Sequence, residues 1–193
     1  MPVCKLITQH DPRFQIPNNS KFIDGDSYLD LYCYLRDLHP ANNAGNGSYP
    51  KKEKMPNDFH GSRCLDYYRA PQEMEALARA YGKYEGIKLR HYVISLGPEE
   101  CKWINSHLSC CLILEEIAER FLDCFHGQYQ CYYVIHEDTA HPHIHVCCST
   151  VNIYTGMKYP GDKRSYFSLQ NEMNRFTKDR FNMRFYMVTD IRD

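Results

Sequence analysis

QCYYVIHEDTAHPHIHVCCSTVN, residues 130–152, is the most informative stretch of this chain of 193 residues. Two apolar runs, QCYYVIHED and HIHVCCSTVN, flank turn-forming residues that include Thr139 and Pro142. Runs of this length, rich in aromatic and β-branched residues and joined by a short polar turn, read as an antiparallel hairpin. Residues two apart in a strand project to one side, so His143 and His145 stand together. If 131–137 pairs with 143–152, His136 at the end of the first strand comes across from the start of the second. An isolated histidine is more often a surface or turn residue. A cluster of this density, with two members at strand spacing, points instead to a metal site. Three neutral imidazoles leave coordination positions open for water or substrate oxygens, which a closed structural zinc site lacks. Asp138 can accept an imidazole N–H and orient one ring.

Working outward, Ser168 opens a helix to about Phe181 and MRFYMVT (183–189) closes the chain as a strand. Before the hairpin, LRHYVISL (89–96) reads as a strand and 97–125 as a long helix. That helix repeats Ile104, Leu108, Cys111, Leu112, Glu115, Ala118, Phe121 and Leu122 along one face, with only Glu115 polar. Pro71 suits the start of another helix, stopped at Gly82 or Gly86. In 27–38, Tyr28, Leu31, Tyr32 and Leu35 fall at helical spacing, with Asp26 or Ser27 as a cap and Pro40 beyond. A first strand is expected over 3–8, and the Asn, Gly, Pro and Lys mixture of 40–62 as a mobile loop. No repeat or linker divides the chain, so 1–193 reads as a single domain. Its element order predicts an α+β class, a central antiparallel sheet with helices packed on it.

Composition narrows the function less. The net charge of −1 carries no basic signature of a nucleic-acid binder, although Lys158, Lys163 and Arg164 concentrate positive charge just after the hairpin. Ten cysteines, none in a CxxC, do not form a zinc ribbon or a disulfide framework and read as reduced thiols of a cytoplasmic protein. No apolar stretch approaches the length of a membrane helix, and the N-terminus has no signal-peptide core, so no membrane association is expected.

HEDTAHPHIH (136–145) resembles the HxDx(n)HxH signature of relaxases of the mobilisation-nuclease family, MOBP-like members of the HUH endonuclease superfamily. The pair is His143-Ile144-His145. The similarity covers roughly 71–186: a strand ending in Ser95, a long helix, the hairpin, Thr155-Gly156, Lys158-Tyr159, and Arg164-Ser-Tyr-Phe opening a helix. The resemblance implies an HUH-endonuclease-like fold that nicks single-stranded DNA at an origin of transfer. A tyrosine makes a 5′-phosphotyrosine and frees a 3′-hydroxyl. It implies His136, His143 and His145 as ligands of Mn2+ or Mg2+, with no role for His141. The family's nucleophile lies near the N-terminus in a "YI" or "YL" segment, which Tyr34-Leu35 matches best. Tyr28, Tyr32, Tyr67 and Tyr68 are rivals. Implied partners are single-stranded or hairpin DNA, accessory relaxosome proteins and a coupling protein. Lys158, Lys163 and Arg164 would meet the DNA backbone, and Tyr159 or Tyr166 a base. Two other readings stay open: a rolling-circle replication initiator, whose tyrosine would be Tyr154, Tyr159 or Tyr166, and a non-catalytic DNA-binding domain stabilised by metal.

Overall fold

In the computed structural model the described residues are 3–7, 27–36, 59–97, 100–102, 110–136 and 142–188. Six strands, β1 (Val3–Ile7), β2 (His60–Arg63), β3 (Leu89–Ser95), β4 (Tyr129–His136), β5 (His143–Asn152) and β6 (Tyr186–Val188), form one sheet in the order β2-β4-β5-β3-β1-β6. Every neighbouring pair is antiparallel except β1 with β6. Packed on this sheet are the helices α1 (Ser27–Leu35), α2 (Ala70–Ala80), α3 (Cys110–Asp123) and α4 (Lys163–Phe181). The class is the expected α+β, and none of the described helices is long and apolar enough to cross a membrane.

Both faces of the central strands are buried, which is why their sequences read as continuous apolar runs. Cys131, Tyr133 and Ile135 of β4, with Ile144, Val146 and Cys148 of β5, join α3 and α4 in one core. Tyr132, Val134, Cys147 and Val151 face the other way and join Tyr28, Leu31, Tyr32 and Leu35 of α1 and Met74 and Ala78 of α2. The stripe expected on α1 is therefore its packing face. No disulfide joins the described cysteines.

Several boundaries differ from expectation for identifiable reasons. α4 starts at Lys163 rather than Ser168, because the Asp162 carboxylate caps it, accepting from Ser165 N at 2.9 Å. It stops at Asn182, whose φ of 53° is left-handed. In α3 the buried residues are Cys111, Ile113, Leu114, Ile117, Ala118, Phe121 and Leu122, with Leu112 in solvent and half-buried Glu115 at the edge of that face. Glu115 thus does not interrupt an apolar face. Ile104 and Leu108 lie outside the described residues.

The 40–62 loop needs correction at its end, where His60, Gly61 and Ser62 begin β2 and pair with Val134, Tyr133 and Tyr132. Residues 40–58 lie outside the described residues. HGSR offers no β-branched or apolar residue to announce a strand. What holds it is side-chain fit. Tyr133 donates to Glu119 at 2.9 Å, and Arg63 pairs with Glu119 and Asp123 at 2.5 and 3.2 Å. A Cβ on Gly61 would lie 2.5 Å from the Tyr133 ring and 2.7 Å from the Glu119 carboxylate. Gly61→Ala is therefore expected to destabilise the fold by about 1–3 kcal/mol through overpacking. Urea unfolding checks this, and an unchanged midpoint would show that β2 does not depend on the close approach.

Candidate metal centre

The register of β4 with β5 places His136 directly opposite His143 and Val134 opposite His145. All three histidines project to the α1/α2 side of the sheet, at the end where β4 finishes and β5 begins. Their ring centroids are 5.2 Å (136 to 143), 4.8 Å (136 to 145) and 4.8 Å (143 to 145) apart. Each offers one nitrogen to a group whose ligand atoms lie within 4.8 Å of one another, so the triad could hold a metal ion. His143 Nε2 and His145 Nε2 are 3.0 Å apart. That is about the separation of two ligands at right angles on an ion with bonds near 2.1 Å. His145 is buried while His136 and His143 are half-buried, so the group opens to solvent on their side.

Two further contacts fix the rings. His136 Nε2–H donates to the Leu35 carbonyl at 2.9 Å. A carbonyl can only accept, so Nε2 carries a proton, and in the neutral ring Nδ1 keeps the lone pair. On the other side, His91 of β3 is stacked on His145, with centroids 5.1 Å apart at 26°, and its Nε2 lies 2.8 Å from His145 Nδ1. For His145 to present a lone pair at Nε2, its proton must sit on Nδ1 and be donated to His91.

Burial, reinforced by His143 and His136, pushes His91 down to about 3. His145 is held well below the ordinary histidine value by burial first and then by His91, His143 and His136. Both imidazoles are neutral at neutral pH, which is the form that ligates.

Among the expected site residues, His136, His143 and His145 come together. Tyr34 belongs to α1, whose last residue, Leu35, touches His136, but the Tyr34 side chain lies outside the described residues, as do Asp138 and His141. Lys158, Lys163 and Arg164 are not brought to the histidines. Lys158 is bridged to Val151, six residues beyond His145 on β5, a distance of about 20 Å. Its amine donates to the carbonyls of Glu85 and Ile87. Lys163 and Arg164 are exposed at the start of α4.

Among the tyrosines, Tyr28 and Tyr67 are buried, and burial pushes both phenols above their usual range. Tyr159 is half-buried, its ring 5.7 Å from Phe125 and 5.3 Å from Tyr129, so it packs the core. Tyr166 is half-buried against the same core.

His91 escaped the sequence reading. Its only signal was a histidine at an inward position of LRHYVISL, distant in sequence from the hairpin. Losing the group that holds a ligand's second nitrogen typically weakens metal binding roughly 10- to 100-fold. His91→Leu is expected to show that loss in calorimetric titration with manganese. His91→Gln, which keeps an acceptor near the Nε2 position, should stay close to the parent. Equal affinity in His91→Leu would reduce His91 to packing.

A family model described as "Relaxase: MobA/VirD2-like, nuclease domain" matches residues 42–180, which takes in the three histidines and His91 and leaves out α1. No curated protein and no solved structure matches the chain. With more than two thirds of its 193 residues matched by that model, and an α+β sheet carrying the histidine hairpin, the chain belongs to the relaxase family, with a nuclease domain of the MobA/VirD2-like kind.

Proposed function

We propose that this nuclease domain nicks single-stranded DNA at an origin of transfer by tyrosine transesterification, with Tyr34 as the nucleophile and His136, His143 and His145 as ligands of one divalent ion, Mn2+ or Mg2+. The observation that carries this reading is the contact between His136 and the last residue of α1, which sets the tyrosine-bearing helix against the three imidazoles. The bound ion would neutralise charge on the non-bridging oxygens of the scissile phosphate. In the reaction the Tyr34 phenol gives up its proton as its oxygen bonds to phosphorus, the bond from phosphorus to the 3′ oxygen breaks, and the departing oxygen takes up a proton as the free 3′-hydroxyl, so that one proton moves in net from phenol to leaving group. The phosphotyrosine keeps the energy of the broken ester, so the strand can be resealed by the reverse attack. His91 holds His145, the Leu35 carbonyl holds His136, and Asp138 would orient a further imidazole N–H.

The tyrosines that a rolling-circle initiator would use do not favour that reading. Tyr154 follows the far end of β5 and Tyr159 packs the core. Lys163 and Arg164 would meet the DNA backbone away from the nick, where their exposure suits a phosphate contact that weakens with salt. Accessory relaxosome proteins and a coupling protein are partners of the same proposal.

Incubation with cognate single-stranded DNA and manganese should leave a covalent 5′-phosphotyrosine adduct. Tyr34→Phe should abolish the adduct while leaving manganese affinity and DNA affinity intact, and chelation of the metal should abolish it in the parent. An adduct that persists in Tyr34→Phe and disappears in Tyr32→Phe or Tyr68→Phe would move the nucleophile to that residue. Absence of any covalent species would leave the metal-stabilised DNA-binding reading.

A further inference from the structure

Beside the histidines, at the junction of α1, β2 and the turn before α2, lies a cation of unusual setting. The Arg36 guanidinium stands 5.2 Å from the ring centroid of Tyr32 and 5.7 Å from those of Tyr67 and Tyr68, and Nη1 donates to the Tyr32 hydroxyl at 2.7 Å. Arg63, Arg79, Arg120 and Arg180 each pair with a carboxylate. Arg36 has no such partner among the described residues. Its charge is half-buried and held by ring faces and one phenol, which position a guanidinium without neutralising it.

The surroundings say what such a charge could meet. Arg36 directly follows Leu35, whose carbonyl accepts from His136, so its backbone is one residue from that contact. The Tyr68 ring is 62% exposed and meets His60 edge-on at 5.4 Å, while His60 is stacked on Tyr67 at 3.9 Å and 26°. His60 is registered opposite Val134, two residues before His136 on β4. A planar cation with no carboxylate partner among the described residues and a solvent-facing aromatic ring, side by side on the β2 side of the candidate metal centre, match the two halves of a nucleotide.

We propose that Arg36, Tyr68 and His60 form a nucleotide subsite for single-stranded DNA, in which Arg36 binds a phosphate flanking the scissile one and Tyr68, braced by His60 and Tyr67, stacks on the base. The subsite rests on the nicking function proposed above and places the strand across the β2 edge of the site. It differs from the cationic contact of Lys163 and Arg164, which lie at the start of α4.

The test is fluorescence anisotropy of a labelled single-stranded oligonucleotide of mixed sequence over a salt series, with calorimetric manganese binding measured in parallel. Removing one phosphate contact lowers the slope of log affinity against log salt by about 0.7 for a single strand. Arg36→Gln is expected to weaken binding with that drop in slope, and Arg36→Lys to restore the slope because the charge remains. Tyr68→Ala is expected to weaken binding roughly tenfold with the slope unchanged, and to have no effect on an abasic strand. Manganese affinity should hold in all three variants.

Arg36→Gln with parental slope and affinity would overturn the phosphate contact, and equal losses of Tyr68→Ala on normal and abasic strands would overturn the stacking. Loss of manganese binding together with DNA binding would show the cluster to be structural, overturning the subsite. Failure of the parent protein to bind any single strand would sink the nicking function itself, and the subsite with it.

Discussion

The pairing of β4 with β5 is the constraint on which the rest depends. With His136 opposite His143, the imidazoles of both strands fall on one face, while Ile144 between them is fully buried in the α3/α4 core. A slip of one residue would exchange these faces, driving His143 and His145 into that core and exposing Ile144 to the α1/α2 side. Burying two imidazoles without their partners is costly, so the same alternation that builds the core selects the register that builds the site. Fold specificity and function share one hairpin.

That arrangement keeps His145 and His91 neutral before any ion arrives. His145 and His91 lie under the α1/α2 layer, and burial holds both in the lone-pair form. An imidazole ligand set would leave the full positive charge of a divalent ion available to a phosphate, whereas carboxylate ligands would cancel part of it. The Arg36 guanidinium works in the same direction, since tyrosine rings hold it and it has no carboxylate partner among the described residues, unlike Arg63 and Arg79. The end of the sheet that carries the site thus combines two features that suit a polyanion, although the net charge of the chain is −1. Local arrangement outweighs the total.

What could be read from the sequence was whatever a periodic pattern carries. The hairpin, its three convergent histidines and the Tyr28, Leu31, Tyr32, Leu35 stripe follow from periods of two and of 3.6, and each is present as spaced. Three things were not legible, because they depend on contacts distant in sequence. β2 is four residues without strand propensity, held by Tyr133, Glu119 and Asp123. His91 acquires its meaning only when β3 is laid beside β5. Lys158 looked like a cation available to DNA, but its amine ties the turn after β5 to the segment before β3. α4 began early for a local reason that the sequence did carry, the Asp162 cap three residues before Ser165, masked by the more polar first turn.

The end of α1 couples this local structure to the centre. Helical spacing allowed α1 to run to residue 38, and the helix ends at Leu35. In a longer helix the Leu35 carbonyl would accept from the backbone N–H four residues on, and it could not also be the principal acceptor of a ring. The Leu35 carbonyl belongs to the last turn of α1, at the negative end of the helix dipole, where carbonyls commonly accept from outside the helix. His136 is such a donor. One bond therefore satisfies a helix terminus, fixes the tautomer of an imidazole and sets the distance between the tyrosine-bearing helix and the histidine hairpin. Because Tyr28, Leu31, Tyr32 and Leu35 are all buried against the sheet, that distance is supported along the whole helix and not by the bond alone. The family match begins at residue 42, after this helix, so the placement of α1 rests on the packing and the carbonyl contact of this chain itself.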